Sequence, residues 1–296
     1  MKSFSLVKKI LVDLFELNLN YLFGLSKEVF PRRLDKSLFC KAFNLIAILR
    51  GKSIRFTWDK FNNEYIAQEP NFHDGFRPKK YFLVKRQNFY SYQNGFSWRA
   101  KDLSEVYLLD YITLSRGDVV IDCGANNGDF LMALELHSQG LHYIAFEPGK
   151  VEFKTLKKNI RNHQAFNLAL GEKDGTVSFY VSPENADSSI IPCKNDLHFE
   201  QVEMTSLSSF AKEQLPGSRI KLLKIEAEGY EPEVIQGALQ ILHAIDYIVV
   251  DGGFERGVNK EATMPFAANL LISNGFQLIA IGGGNRFVSL YKNQTE

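Results

Sequence analysis

The segment VVIDCGANNGDF, residues 119–130, reads as a buried strand that breaks at glycine and restarts as a helix. Val119, Val120 and Ile121 supply the apolar run, and Asp122, Gly124 and Gly128 fall where the strand gives way to the helix. In an open α/β sheet that turn lies outside the carboxyl end of a strand, where ligands bind, and glycine lets a ligand approach the backbone N–H groups at the helix start. A dinucleotide site needs a middle glycine for the pyrophosphate. Asn126 stands between Gly124 and Gly128 instead, and no GxxxxGK[ST] loop occurs anywhere in the chain. The ligand expected here carries no phosphate groups.

Outward from this segment the pattern alternates apolar strands with amphipathic helices, the mark of a doubly wound, mostly parallel sheet. Helices are expected at 104–114, 129–137, 151–162, 207–215, 232–242 and 261–273. Strands are expected at 119–121, 143–146, 166–170, 176–181, 198–204, 220–225, 247–250, 276–281 and 286–291. The last two are separated only by Gly282-Gly283-Gly284-Asn285, a connection short enough for a hairpin alone, so the sheet is expected to finish in an antiparallel hairpin.

Before residue 100 the chain has a different character. Residues 7–25 carry Val7, Ile10, Leu11, Leu14, Leu17, Tyr21, Leu22 and Leu25 at helical spacing, and Lys8, Lys9, Asp13 and Glu16 interrupt the run, which excludes a signal-peptide core or a membrane span. Residues 54–100 are dense in aromatics and read as short strands and turns. The chain of 296 residues carries a net charge of +1, yet residues 1–100 hold 18 Lys/Arg against 8 Asp/Glu, and the remainder 17 against 26. Two regions are therefore expected: a basic region, 1–100, and an α/β domain, 101–296. The basic excess suits an anionic partner such as a membrane surface, or docking on the acidic remainder. Nucleic acid is not the expected partner, since no RNA-binding signature accompanies the aromatics.

With 45% hydrophobic and 23% charged residues, the composition is that of a soluble globular protein and excludes disorder and low-complexity architecture. Cys40, Cys123 and Cys193 form an odd set with no CxxC spacing, so neither a disulfide framework nor a zinc site is expected, and a cytoplasmic location fits. The absence of GxSxG, HExxH and HxE…PCxxC removes support for hydrolase, zincin and deaminase readings.

Two further features bear on chemistry. Glu147-Pro148 follows the second strand, 25 positions after Asp122, where an acid can accept two hydrogen bonds from a ribose diol, or else start the next helix. A loop without phosphate geometry, a ribose-binding acid and a terminal hairpin together point to S-adenosylmethionine. In LLKIEAEGYE, residues 222–231, Glu226 and Glu228 share a face if the strand persists, and their mutual repulsion would raise one pKa and make a general base. Glu228, Glu231 and Glu233 also suit a helix start. Asp251 ends the following strand as a third candidate. Three acids on adjacent strand ends can hold Mg²⁺, but their spacing is not diagnostic and no metal is assigned.

The segments VIDCGANNGDF, AFEPGKVEFKTLKKNI, NLALGEKDGTVSFYV, EMTSLSSF and LKIEAEGYEPEVIQGA, in that order, resemble the FkbM-type methyltransferase family over roughly residues 104–292. The resemblance implies a class I methyltransferase-like fold and an S-adenosylmethionine loop of Asp122, Gly124, Ala125, Asn126 and Gly128, with Glu147 on the ribose beside Pro148. It also implies Glu226 and Glu228 near the acceptor, and as acceptor a hydroxyl of a sugar, glycan or hydroxylated small metabolite. The chain departs from the family pattern where Glu226-Ala227 stands for Asp-Val and Ser208 for Asp. Two other readings remain open: a nicotinamide-dependent oxidoreductase, disfavoured by Asn126 and the hairpin, and a non-catalytic module whose basic region binds a polyanion or membrane.

Overall fold

The computed structural model describes residues 36–74, 77–83, 88–181, 188–192, 198–282 and 286–294. The amphipathic stretch at 7–25, the hairpin turn at 283–285 and Cys193 lie outside them. Between Arg99 and Ala100 the chain divides into two units.

In the first unit, α1 (Lys36–Leu49) precedes a three-stranded antiparallel sheet of β1 (Arg55–Asp59), β2 (Glu64–Asp74) and β3 (Arg77–Leu83), followed by the short α2 (Asn88–Tyr92). The aromatic density seen in the sequence is spent on a core. Phe39, Phe43, Phe56, Tyr65 and Phe89 are buried and meet ring to ring, with Phe56 stacked on Phe89 at 4.1 Å between centroids.

The second unit is built on a seven-stranded sheet of β4 (Val119–Cys123), β5 (His142–Phe146), β6 (Gln164–Phe166), β10 (Ile220–Ile225), β11 (Ile245–Asp251), β14 (Phe276–Gly282) and β15 (Val288–Asn293). Its order is β14-β15-β11-β10-β4-β5-β6. β10, β11, β4, β5 and β6 pair in parallel, and β15 runs antiparallel to both its neighbours. The expected terminal hairpin is therefore inserted rather than merely appended: its second strand lies against β11 and its first forms the edge. A smaller sheet, β7 (Ala169–Leu170), β9 (Phe199–Thr205) and β8 (Gly175–Tyr180), stands apart. The single strand expected at 166–170 is thus two strands in two sheets.

Apolar residues on both faces of the parallel strands explain the near-continuous runs in the sequence. Ile121, Ile144, Leu223, Ile225, Ile248 and Val250 face α6 (Leu207–Gln214), α7 (Glu231–Gly237) and α8 (Met264–Ser273). Val120, Tyr143, Ala145, Leu222 and Val249 face the opposite layer, to which Leu103, Tyr107, Phe130, Leu134 and Leu156 belong. That layer includes the end of α3 (Phe96–Val106), α4 (Phe130–His137) and α5 (Lys150–Asn159).

Helix boundaries differ from expectation most at three helices. α3 ends at Val106, and a single turn, Leu109–Tyr111, replaces the rest of the helix expected at 104–114, because Leu108 adopts a left-handed φ of 57°. α7 likewise stops at Gly237 and passes into a tighter turn of helix, Leu239–Ala244. α8 begins only at Met264, with Pro265 in its first turn, where the missing N–H costs nothing. The residues assigned to its start, Glu261–Ala262 (β13), instead pair with β12 (Phe254–Arg256).

Candidate active site

Period-two alternation carries three charged side chains to one face of the sheet at its carboxyl end. Lys224 in β10 is the direct cross-strand neighbour of Asp122 in β4 and of Val249 in β11, and Asp251 lies two residues beyond Val249. All three point into the layer holding Tyr107 and Phe130. Lys224 is 2% exposed and Asp122 is fully buried. The Lys224 Nζ lies 2.9 Å from Asp122 Oδ1 and 2.9 Å from Glu226 Oε2, and donates to the carbonyl of Gly124 at 3.0 Å. Tyr143 donates its hydroxyl to the other oxygen of Asp122, and Tyr107 donates to Glu226 Oε2 at 2.6 Å. Arg286, reaching in from just before β15, binds both Glu226 and Asp251. Three carboxylates are thus interleaved with two cations.

The protonation states follow from that order. Burial pushes Asp122 up, against the pull of Lys224, and burial likewise raises Asp251 in spite of Arg286. Burial alone would lower Lys224, but Asp122 and Glu226 outweigh it and hold the ammonium well above its usual range. For Glu226, burial is outweighed by Lys224, Arg286 and the Tyr107 hydrogen bond, which hold it well below the usual carboxylate range.

This corrects the expectation that Glu226 and Glu228 form a repelling pair on one strand face. The strand ends at Ile225, and Glu228 turns with a left-handed φ of 49°, followed by Gly229 at 98°. The two acids therefore do not share a pleat, and Glu226 is a stabilised anion rather than a raised base. The carbonyl of Glu228 accepts the Ser189 hydroxyl. Glu231 and Glu233 open α7. Glu231 is buried, accepts the amides of Ala227 and Gly229 and takes the Thr263 hydroxyl.

At the neighbouring strand ends the glycine loop closes on itself. The amides of Gly124 and Ala125 both donate to the carbonyl of Phe146 at 3.0 Å, that of Gly128 donates to Ala125, and that of Asn126 to Glu147 Oε2 at 2.8 Å. A phosphate would find these four donors already taken. The glycines serve close packing. A Cβ on Gly128 would come within 2.8 Å of Leu156 and Ile160, and Asn126 between the two glycines takes a left-handed φ of 47°. Glu147 is 7% exposed, and its second oxygen accepts the amide of Gly149, the residue that caps α5. Pro148 lies between, its carbonyl held by Asn167.

Beyond β11 a third group of residues forms the rim. Arg256 in β12 makes a two-pronged ion pair with Glu233, at 2.9 and 2.6 Å, and donates to the carbonyl of Gly229 at 2.7 Å. Glu255, the residue before Arg256, lies at the same place as the end of β11: a Cβ built on Gly253 would lie 3.5 Å from Glu255 Oε1 and 3.8 Å from Asp251 Oδ1. Glu255 is half-buried, has no hydrogen bond or ion pair among the described residues, and is pushed up to about 7 by burial and by Asp251, Glu231 and Glu226. The rim is flanked by the exposed rings of Phe254 and Phe287, packed edge to face at 5.1 Å. Among the described residues no group of three His, Cys, Asp or Glu is placed to hold a metal ion. Lys224, Arg286, Tyr107 and Glu255 were not singled out from the sequence.

Counting the seven strands of the main sheet along the chain, their order from the β6 edge is 3-2-1-4-5-7-6, with only the seventh antiparallel. This is a class I methyltransferase fold with its ligand crevice at the carboxyl ends of the parallel strands. A family model described as the methyltransferase FkbM domain matches residues 122–278, more than half of the chain. The chain belongs to the FkbM methyltransferase family, and that membership implies dependence on S-adenosylmethionine. It is 27% identical over 183 residues to Methyltransferase 1 of Beauveria bassiana, covering 53% of this chain and 71% of that protein. Over 69 residues, 23% of this chain and 26% of the other, it is 38% identical to the 31-O-demethyl-FK506 methyltransferase FkbM of Streptomyces tacrolimicus. The methyltransferase FkbM of Methylobacillus flagellatus superposes with a TM-score of 0.47 at 15% identity, over 70% of this chain and about half (54%) of that one.

The residues present suit the cofactor that the family implies. The engaged amides of Gly124, Ala125, Asn126 and Gly128 fit a ligand without phosphates, Glu147 would hold a ribose diol, and acids outnumber cations where a sulfonium and an ammonium must be accommodated. No helix among the described residues is long and apolar enough to cross a membrane.

Proposed function

We propose that the chain transfers the methyl group of S-adenosylmethionine to a hydroxyl of a sugar, glycan or hydroxylated small metabolite in the cytoplasm. The observation that carries this reading is Glu147: a buried carboxylate, oriented by the amides of Asn126 and Gly149, beside a loop in which the amides of Gly124, Ala125 and Gly128 are already taken. When bound, the cofactor supplies an electrophilic methyl group whose transfer leaves a neutral thioether. Ala125 and Asn126 would shape the adenosyl side of the crevice, the buried Asp122 would act on it only through its charge, and Glu147 would take the ribose hydroxyls. The surplus of negative charge from Asp122, Glu226 and Asp251 over Lys224 and Arg286 favours the cationic sulfonium. An alcohol is a poor nucleophile until a base takes its proton, and the carboxylates at the end of β11 have raised proton affinity, as such a base requires. The Streptomyces relative, whose name specifies an oxygen position, supports transfer to oxygen. Residues 1–100, with their excess of ten positive charges, act as an accessory region that contacts an anionic membrane surface.

Calorimetry with S-adenosylmethionine, S-adenosylhomocysteine and NAD tests the cofactor. Binding of the first two without the third is expected, and binding of NAD alone would overturn the assignment. Mass spectrometry of glycan, sugar and metabolite pools incubated with methyl-labelled cofactor tests the acceptor.

A further inference from the structure

We propose that Glu255, on β12 at the rim of the crevice, is the base that takes the proton of the acceptor hydroxyl; this rests on the methyl-transfer reading above. Among the carboxylates at the mouth of the parallel sheet, Asp122 is sealed in by Lys224 and Tyr143, Glu226 is held by Lys224, Arg286 and Tyr107, and Asp251 is buried and bound to Arg286. Each would have to break an ion pair to accept a proton. Glu255 has none to break among the described residues, and it is only half-buried, so an acceptor can reach it.

Its position is nevertheless fixed. The neighbouring Arg256 is pinned to Glu233 and to the carbonyl of Gly229, and a side chain on Gly229 would strike the Arg256 backbone at 2.7 Å. The strand carrying Glu255 therefore lies hard against the loop that follows β10, and Glu255 Oε1 would lie 3.5 Å from a Cβ built on Gly253, just past the end of β11. The charged groups facing it are Asp251 on β11, Glu231 on α7, Glu226 after β10 and Arg286 before β15. Three of the four repel its charge, so the carboxyl binds a proton more readily than an isolated glutamate, as a base working near neutrality requires.

In the transfer, the hydroxyl O–H bond breaks and its proton passes to the Glu255 carboxylate. The oxygen pair forms the new C–O bond to the methyl carbon, and the C–S pair returns to sulfur, leaving the methyl ether, the thioether and a protonated Glu255 that releases its proton to water.

The test compares wild type with Glu255→Gln and Glu255→Asp. S-adenosylhomocysteine affinity by calorimetry is expected to be unchanged within about twofold in Glu255→Gln. Methyl transfer from labelled S-adenosylmethionine to a pool of methyl glycosides and hydroxylated metabolites should fall at least about 100-fold, with partial recovery in Glu255→Asp. Independently of any acceptor, the folded-state pKa lies above the unfolded value, so the wild type should lose stability relative to Glu255→Gln as pH rises from 5 to 8. Transfer by Glu255→Gln within about threefold of wild type, or parallel stability curves, would overturn the assignment and leave the methyl-transfer reading standing. If the wild type binds cofactor but methylates nothing in the pool, the hydroxyl-acceptor reading fails, and Glu255 as its base fails with it.

Discussion

The backbone carbonyl of Glu226 stands where a side chain on Gly124 would begin: a Cβ built on Gly124 would lie 1.9 Å from that oxygen. The cofactor loop after β4 and the acidic loop after β10 are therefore in backbone contact, and Lys224 bridges the same two loops through the Gly124 carbonyl and the Glu226 carboxylate. What the sequence presents as two motifs a hundred residues apart is one structural joint. The two loops cannot be displaced independently.

Gly124→Ala tests that joint. A left-handed φ of 77° costs a β-carbon-bearing residue about 1–2 kcal/mol on its own, and the clash adds to it because the obstacle is backbone. Gly217→Ala, at φ 69° with nothing within 4 Å of the added atom, provides the control. Urea unfolding should show a clearly larger loss for Gly124→Ala than for Gly217→Ala, accompanied by weaker binding of S-adenosylhomocysteine in the former only. Equal losses would mean that the loops part easily.

Lys224→Met should remove about 3–5 kcal/mol of stability, the usual cost of stripping one partner from a buried ion network. The cause is the pair of carboxylates left behind, Asp122 fully buried and Glu226 beside it. If so, adding Glu226→Gln to Lys224→Met should restore part of the loss, and a double-mutant cycle by denaturant titration would show non-additivity. Strict additivity would argue that Lys224 acts through packing on Tyr107 and Phe130 instead.

Much of this architecture is legible along the chain because the parallel strands are buried on both faces and appear as runs such as VVID, YIAF and YIVV, each ending at an acid. The loop at Gly124 is legible from its glycines, which in the structure also admit neighbouring protein. Glu228 was misplaced because extrapolating the strand past Ile225 ignores what Gly229 permits, a left-handed turn two residues wide. Lys224 did carry a signal: a cation inside the apolar run LLKI, at the buried carboxyl end of β10, requires a counter-charge. Tyr107 looked like any core aromatic, and Arg286 gave no local hint at all. Its partners Glu226 and Asp251 are 60 and 35 positions away and meet it only because β15 inserts beside β11.

Glu147→Gln should weaken S-adenosylhomocysteine binding by about tenfold or more and cost about 1–3 kcal/mol of stability. The carboxylate accepts two amides, from Asn126 and Gly149, and a carboxamide can accept only on one side, so one amide would face an N–H₂ group. Isothermal calorimetry separates the two effects when performed well below the unfolding temperature. A variant that loses stability but keeps wild-type affinity would remove Glu147 from the ribose.

The acid limb of stability should report Glu226. Its folded-state pKa is held below its ordinary value of about 4.5, after burial is outweighed by Lys224, Arg286 and Tyr107. A carboxylate shifted in this direction stabilises the fold fully above the unfolded pKa, and the contribution drains away as pH falls through the folded one. The stability difference between wild type and Glu226→Gln should therefore be largest at pH 6 and shrink steadily from pH 4.5 to pH 3 in urea titrations. Asp251 and Asp122, both raised by burial, act with the opposite sign and are present in both proteins, so they cancel in the difference except where they couple to Glu226. A gap that stays constant across this range would show that Arg286 and Lys224 hold Glu226 in place without stabilising its charge.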